Sequence, residues 1–258
     1  SGMISLEEAT RRSINTVFAQ MASELGGEKL ASTANRIGID SEIDPVISLT
    51  LGAGAVTPIE IASAYSSFAT NGVLAPPYLI ERIEDSNGEV LYQNIVSQRI
   101  SIPDPGAAAA VRKTLEVAAQ FGTGTRAVLD DRPIAGKTGT TNKNTDTWFI
   151  GFTSNLLIGV YVGLDNPSPL GRFETGSKTA LPIFKEFIKK TVSKSEARPF
   201  KAAEGTVMMV VDPNTGQKAK FNSKNTIIEV YKKQNVIDGK VLHSNNDRLD
   251  ANNILKFY

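Results

Sequence analysis

Lys137-Thr138-Gly139, followed by Thr140 and Thr141, puts a cation, three hydroxyls and a bare glycine on consecutive residues, and the tripeptide occurs once in the chain. That combination suits an acyl substrate bearing a carboxylate. Lys137 supplies the charge, and Thr138 and Thr140 can donate to the carboxylate. Gly139 lets a ligand approach the strand backbone, and a backbone N–H near Thr140 can face a developing oxyanion. By itself the tripeptide also describes a strand end with solvated Lys and Thr. Ser-x-Asn, a second element that suits serine chemistry, occurs three times: Ser13-Ile14-Asn15, Ser223-Lys224-Asn225 and Ser244-Asn245-Asn246. Position favours Ser13 and Asn15, which precede Lys137 and fall at a junction between two predicted helices. Ser13 alone also fits a serine that breaks or caps a helix.

Composition narrows the base that can assist a serine. The 258 residues contain no Cys and one His, His243 in a polar tail, so thiol catalysis, a Ser-His-Asp triad and a multi-His metal site have no material. Twenty-eight Lys and Arg against 27 Asp and Glu leave a net charge of +1, which argues against nucleic acid as a partner. The longest apolar stretches, such as 156–164, fall short of the ~20 residues that span a bilayer, and residues 1–20 are not a signal peptide. The abrupt Ser1-Gly2-Met3 start is expected to be a truncated or processed N-terminus.

The elements that must carry these residues are legible from caps and periodicity. Ser5 and Glu8 have capping-box spacing, predicting a helix from near Leu6. Val17, Phe18, Met21, Ala22 and Leu25 recur at helical spacing until Gly26-Gly27, and a short helix follows over 28–36. Thr57-Pro58-Ile59-Glu60 and Asp104-Pro105 each start a helix; Asn71-Gly72 ends the first, and Gly122 and Gly124 end the alanine-rich second. Residues 79–92 form a predicted hairpin turning at Asn87-Gly88. From Pro133 the period becomes two, with strands near 134–140, 148–153 and 156–164. Lys137 is expected to end or lie within the first of these strands, with the strand's edge free for an extended peptide. A helix over 179–192, with Leu181, Phe184, Phe187 and Ile188 on one face, should cover the sheet. The fold class is therefore α+β, an antiparallel sheet covered by helices. Residues 193–204 read as a linker. A strand over 206–211 and a turn at Asp212-Pro213-Asn214-Thr215-Gly216 open a small β-rich appendage.

The ordered set Ser-x-x-Lys, Ser-x-Asn and Lys-Thr-Gly marks penicillin-recognising serine enzymes, and the last two elements are present here. Three longer stretches, Gly122-Thr123-Gly124-Thr125-Arg126-Ala127, Ala135-Gly136-Lys137-Thr138-Gly139-Thr140-Thr141 and Asp146-Thr147-Trp148-Phe149-Ile150-Gly151-Phe152-Thr153, resemble the transpeptidase domain of class A penicillin-binding proteins. So does Leu51-Gly52-Ala53 running into Val56-Thr57-Pro58-Ile59-Glu60. The resemblance implies the penicillin-binding/serine β-lactamase-like fold over 1–194, incomplete at its start, with 195–258 as linker and appendage. It implies a D,D-transpeptidase acting on peptidoglycan stem peptides and inhibited by β-lactam antibiotics, at the extracytoplasmic face of a bacterial membrane. Ser13, Asn15 and Lys137 would be catalytic, and Thr138, Gly139, Thr140 and Thr141 would bind substrate, with no metal or organic cofactor.

No serine in this sequence is followed by Lys three positions later. In the family the serine so placed is the nucleophile. The resemblance therefore implies a missing upstream segment that carries it, along with the membrane anchor and glycosyltransferase domain of class A members, and an isolated fragment that is inactive. Either a second segment supplying the nucleophile helix or an apolar trough beside the Ser13 and Lys137 groove should mark its place. Two rivals remain: a D,D-carboxypeptidase or β-lactamase-type hydrolase, and a non-catalytic module that binds peptidoglycan or a partner.

Overall fold

A computed structural model describes residues 4–193, 196–212, 217–220, 223, 226–237 and 240–241. The chain opens with α1 (Leu6–Arg11), α2 (Asn15–Leu25) and α3 (Gly27–Arg36). The Ser5 hydroxyl caps α1 by accepting from the Glu8 amide at 3.1 Å. The Glu8 carboxylate, however, turns to Arg11 at 2.7 Å and Arg12 at 3.6 Å, so only half of the expected capping box forms. A cation within one helical turn competes successfully for that carboxylate.

At α4 (Pro58–Ala69) the capping box is complete. Glu60 donates its amide to the Thr57 hydroxyl at 3.3 Å, and its carboxylate accepts from the Thr57 amide at 2.8 Å. Thr57, followed by Ser41, holds the Glu60 carboxyl down at about 2. The helix is stopped by Asn71 and Gly72, both at positive φ (58° and 101°). Asp104 starts α5 (Pro105–Phe121) by accepting from the Gly106 and Ala107 amides. The small residues Ala107, Ala108, Ala109, Ala118 and Ala119 are all buried, which lets neighbouring backbone pack close to this helix. Between these two helices β1 (Val73–Leu74) pairs with β4 (Arg99–Ile100). The hairpin of β2 (Arg82–Glu84) and β3 (Val90–Gln93) is closed by the Asp85 carboxylate, which accepts from the Asn87 and Glu89 amides.

The central sheet is antiparallel, in the order β5 (Ala135–Thr140), β6 (Thr147–Phe152), β7 (Leu157–Val162), so β5 is an edge strand. Lys137 lies opposite Ile150, within a sheet strand as expected. The strand continues because Thr138, Gly139 and Thr140 keep their register with Phe149, Trp148 and Thr147. Alternation along β6 supplies both faces of the sheet. Phe149 meets Phe184 of α6 (Ala180–Thr191) edge to face at 4.7 Å. Phe152 packs on the other side with Leu115 of α5 and Tyr65 and Phe68 of α4. On α6, Leu181, Phe184 and Ile188 are buried, but Phe187 is 49% exposed and falls outside the face assigned to it. One further residue around a helix, about 100°, is enough to leave the packed stripe.

After α6 the chain is pinned rather than loose. Phe200 meets Phe152 at 5.6 Å and lies under the Arg112 guanidinium at 5.2 Å, and Arg112 donates to the Lys201 carbonyl at 3.0 Å. The C-terminal part pairs β8 (Thr206–Val211) with β9 (Ile227–Lys232) and β10 (Val236–Ile237) with β11 (Lys240–Val241). It has its own small core of Met209, Val211 and Val241. An ion pair between Lys232 and Asp104 ties β9 to the start of α5. Residues 213–216 of the expected turn, Lys224 and Asn225 of the second Ser-x-Asn, the whole third copy and His243 lie outside the described residues.

Candidate active site

Ser13 owes its position to the way α1 ends. The Ser13 amide donates to the Thr10 carbonyl at 3.1 Å and the Ile14 amide to the Ala9 carbonyl at 2.9 Å, the bond pattern of a Schellman stop. That stop demands a left-handed residue, usually glycine, and Ser13 takes it at φ 52°. A β-carbon there costs energy that glycine would not, so the hydroxyl is where a functional demand is to be sought. The end of α1 is locked to the end of α5. Arg11 donates to the Phe121 carbonyl at 3.2 Å, and a side chain at Gly122 would stand 2.4 Å from the Arg11 carbonyl oxygen.

Across from this turn, Lys137 extends from β5, and its Nζ donates to Ser13 Oγ, 124 residues away in sequence. The same Nζ donates to the Thr138 carbonyl at 3.1 Å. Burial lowers the Lys137 amine to about 8 from its ordinary 10.5, since a desolvated ammonium loses its hydration. The pair thus joins a hydroxyl to an amine whose proton is exchangeable near neutral pH, beside a strand whose outer edge carries no ladder partner among the described residues.

The remaining candidates are distributed unevenly. Thr138 and Thr140 alternate with Lys137 and share one side of β5. The Thr138 hydroxyl is 2.7 Å from the Thr123 hydroxyl, and the Thr140 hydroxyl accepts from the Gly176 amide at 3.1 Å. Gly139 has a packing reason beside any ligand, because a β-carbon would come within 3.1 Å of Trp148 Cβ. The Thr141 hydroxyl is 2.7 Å from that of Thr145 and accepts from the Asp146 amide at 2.8 Å, so its own loop occupies it. Asn15 opens α2 in an exposed position, and its side chain makes no hydrogen bond among the described residues. No group of acidic or histidine side chains suited to a metal ion occurs among the described residues.

Comparison with known proteins gives these residues a context. Residues 1–189 match the family described as the penicillin binding protein transpeptidase domain. Penicillin-binding protein 1A of Rickettsia conorii is 31% identical over 273 residues, covering 96% of this chain and 34% of the relative. The protein of that name from Neisseria flavescens is 36% identical over 216 residues, covering 80% of this chain and 27% of the relative. The chain therefore spans about a third of the length of the curated relatives it matches. Among solved structures, penicillin-binding protein 1A from Haemophilus influenzae superposes with a TM-score of 0.79 at 25% identity, over 95% of this chain and 41% of that one. Penicillin-binding protein PonA1 from Mycobacterium tuberculosis gives 0.72 at 26% identity, over 79% and 60%, and it has also been solved in complex with penicillin V.

Proposed function

Because the chain belongs to the penicillin-binding protein transpeptidase family, we propose that it forms the substrate-binding and proton-transfer half of a peptidoglycan D,D-transpeptidase. The Lys137 Nζ to Ser13 Oγ hydrogen bond carries this reading. In the first half-reaction a serine hydroxyl attacks the penultimate D-Ala carbonyl of a stem peptide; the C–N bond breaks and D-alanine leaves. In the second, an amine from a neighbouring strand attacks the ester and regenerates the serine. Each step moves a proton between nucleophile and leaving group, and Ser13 backed by the Lys137 ammonium is built to pass it. Thr138 and Thr140 hold the carboxylate of the substrate, or of a β-lactam that mimics it, against the edge of β5. Gly139 keeps that edge low, Thr141 fixes the loop beyond it, and Asn15 orients the peptide.

The acylated serine belongs, on this reading, to a Ser-x-x-Lys segment outside these 258 residues, within a membrane-anchored polypeptide at the extracytoplasmic face. The 258 residues alone are then inactive. Residues 1–194 form the transpeptidase part and 195–258 the linker and β-rich appendage.

The test is labelling of the full-length polypeptide with fluorescent penicillin. Lys137→Ala and Ser13→Ala should each slow acylation by about a hundredfold or more while leaving the melting temperature within a few degrees. A folded Lys137→Ala protein that labels at the parental rate would remove Lys137 from catalysis. Products formed with an added amine acceptor then separate transfer from hydrolysis.

A further inference from the structure

The two hydroxyls assigned to the substrate carboxylate are held from behind. The Gly176 amide can only donate, so at 3.1 Å it occupies a lone pair of Thr140 Oγ1 and leaves the Thr140 proton free. Among the described residues that proton has no acceptor. Thr138 has one partner among them, Thr123 Oγ1 at 2.7 Å, a bond that either hydroxyl can donate. A carboxylate only accepts. Once one is present, the direction in which Thr123 donates to Thr138 and Thr138 donates to the carboxylate is favoured, because the charge-assisted bond is the stronger.

The local sequence is shaped for both supports. Thr123 stands between two glycines that have no room for side chains. A β-carbon at Gly122 would lie 2.4 Å from the Arg11 carbonyl oxygen, and one at Gly124 would lie 2.9 Å from Ala119 Cα. The turn after α5 is thereby pressed against the helix, and Thr123, between the two glycines, meets β5 through its hydroxyl. A β-carbon at Gly176 would lie 2.3 Å from the Trp148 carbonyl oxygen and 2.6 Å from that of Gly139. Only glycine lets this amide reach Thr140. Its loop is fastened at both ends: Asn144 donates to the Gly171 and Arg172 carbonyls, each at 3.1 Å, and the Thr179 hydroxyl is 2.6 Å from that of Thr147.

From this geometry we infer that Thr123 and the Gly176 amide are positioning groups, which orient the Thr138 and Thr140 hydroxyl protons toward the carboxylate of a peptide or β-lactam ligand. The inference rests on the function proposed above, and it predicts an effect that depends on the ligand's charge.

Full-length protein would be acylated with benzylpenicillin and with its methyl ester, comparing the parent with Thr123→Val, Thr123→Ser, Thr138→Val and the Thr123→Val/Thr138→Val pair. One hydrogen bond to a charged group corresponds to about tenfold in rate. Thr123→Val should therefore slow acylation by benzylpenicillin about tenfold and leave the slower reaction of the ester unchanged. Thr123→Ser should restore the parental rate, and the double variant should be no slower than Thr138→Val. Equal losses with both ligands, additive losses in the double variant, or no loss would overturn the role of Thr123. A melting temperature lowered in Thr123→Val but not in Thr123→Ser, with equal losses for acid and ester, would reduce it to packing. A parent that benzylpenicillin does not acylate at all would instead remove the proposed function, and this inference with it.

Discussion

Lys137 combines two demands that oppose each other. The proposed function wants its ammonium beside a substrate carboxylate and a serine hydroxyl, yet the site that brings it to Ser13 also desolvates it and lowers it to about 8. The opposition gives a test in which catalysis and stability move in opposite directions. A lysine whose folded pKa lies below its unfolded value, here 10.5, carries its full burial cost below pH 8 and is relieved of it as pH rises from about 8 toward 10.5. Lys137 therefore contributes a gain in stability over that window. On the function proposed above, acylation uses the ammonium form, so its rate should fall over the same window. Stopped-flow acylation and thermal melts across pH 6 to 10 separate the two. A rate that stays level to pH 10 would show that the charged form is not required, whereas a fall that tracks unfolding would deny it a catalytic origin.

Elements whose boundaries depend on neighbours in sequence were legible before the fold was known, and contacts between distant elements were not. Thr57 and Glu60 cap α4, and Asp104 caps α5, because a cap is decided within one turn. The β6–β7 hairpin and the stripe of Leu181, Phe184 and Ile188 followed from period alone. Ser13 and Lys137 were brought together only by resemblance to a family, since no local rule links residues 124 apart. Neither Thr123 behind Thr138 nor Gly176 behind Thr140 has a periodic signal. Phe200 looked like part of a polar linker, although it docks on Phe152. The same blindness covers Glu229 on β9. Burial first, and then the Glu7 carboxyl of α1, push Glu229 up to about 7, while Lys113 of α5 pulls it down. An acid whose folded pKa exceeds its unfolded value of 4.5 costs stability as pH rises between the two, and the cost is fully present above about 7. Glu229→Gln should therefore raise the melting temperature by roughly 3 °C at pH 8 and by little at pH 5. An equal shift at both values would mean that the Glu7 and Glu229 contact does not titrate on unfolding.

Across the whole molecule, stability is concentrated in one part. The buried apolar clusters among the described residues draw on α4, α5, α6, the central sheet, Phe200 and the C-terminal hairpins, and none includes a side chain of α2 or α3. Ala22 is the sole buried residue of α2, and α3 has none. The 3-10 turn Ile47–Leu51 beside α2 leaves Ile47 and Leu51 nearly half exposed. Yet α2 begins two residues after Ser13, so a thinly packed helix adjoins the Ser13 and Lys137 pair. Local opening costs little where few apolar contacts are lost. Truncating Phe184, wholly buried, should cost roughly 4 kcal/mol, whereas Phe18→Ala in α2 should cost about 1 kcal/mol. Hydrogen exchange should show the same division, with slow amides in β5, β6, α5 and α6 and fast ones in α2 and α3. If an upstream segment packs beside Ser13 as proposed, α2 should become the most strongly slowed element when the full-length polypeptide is compared with residues 1–258. Uniform protection of α2 and β6 in the shorter chain would show that the surroundings of Ser13 are already closed, and would leave no place there for a nucleophile helix.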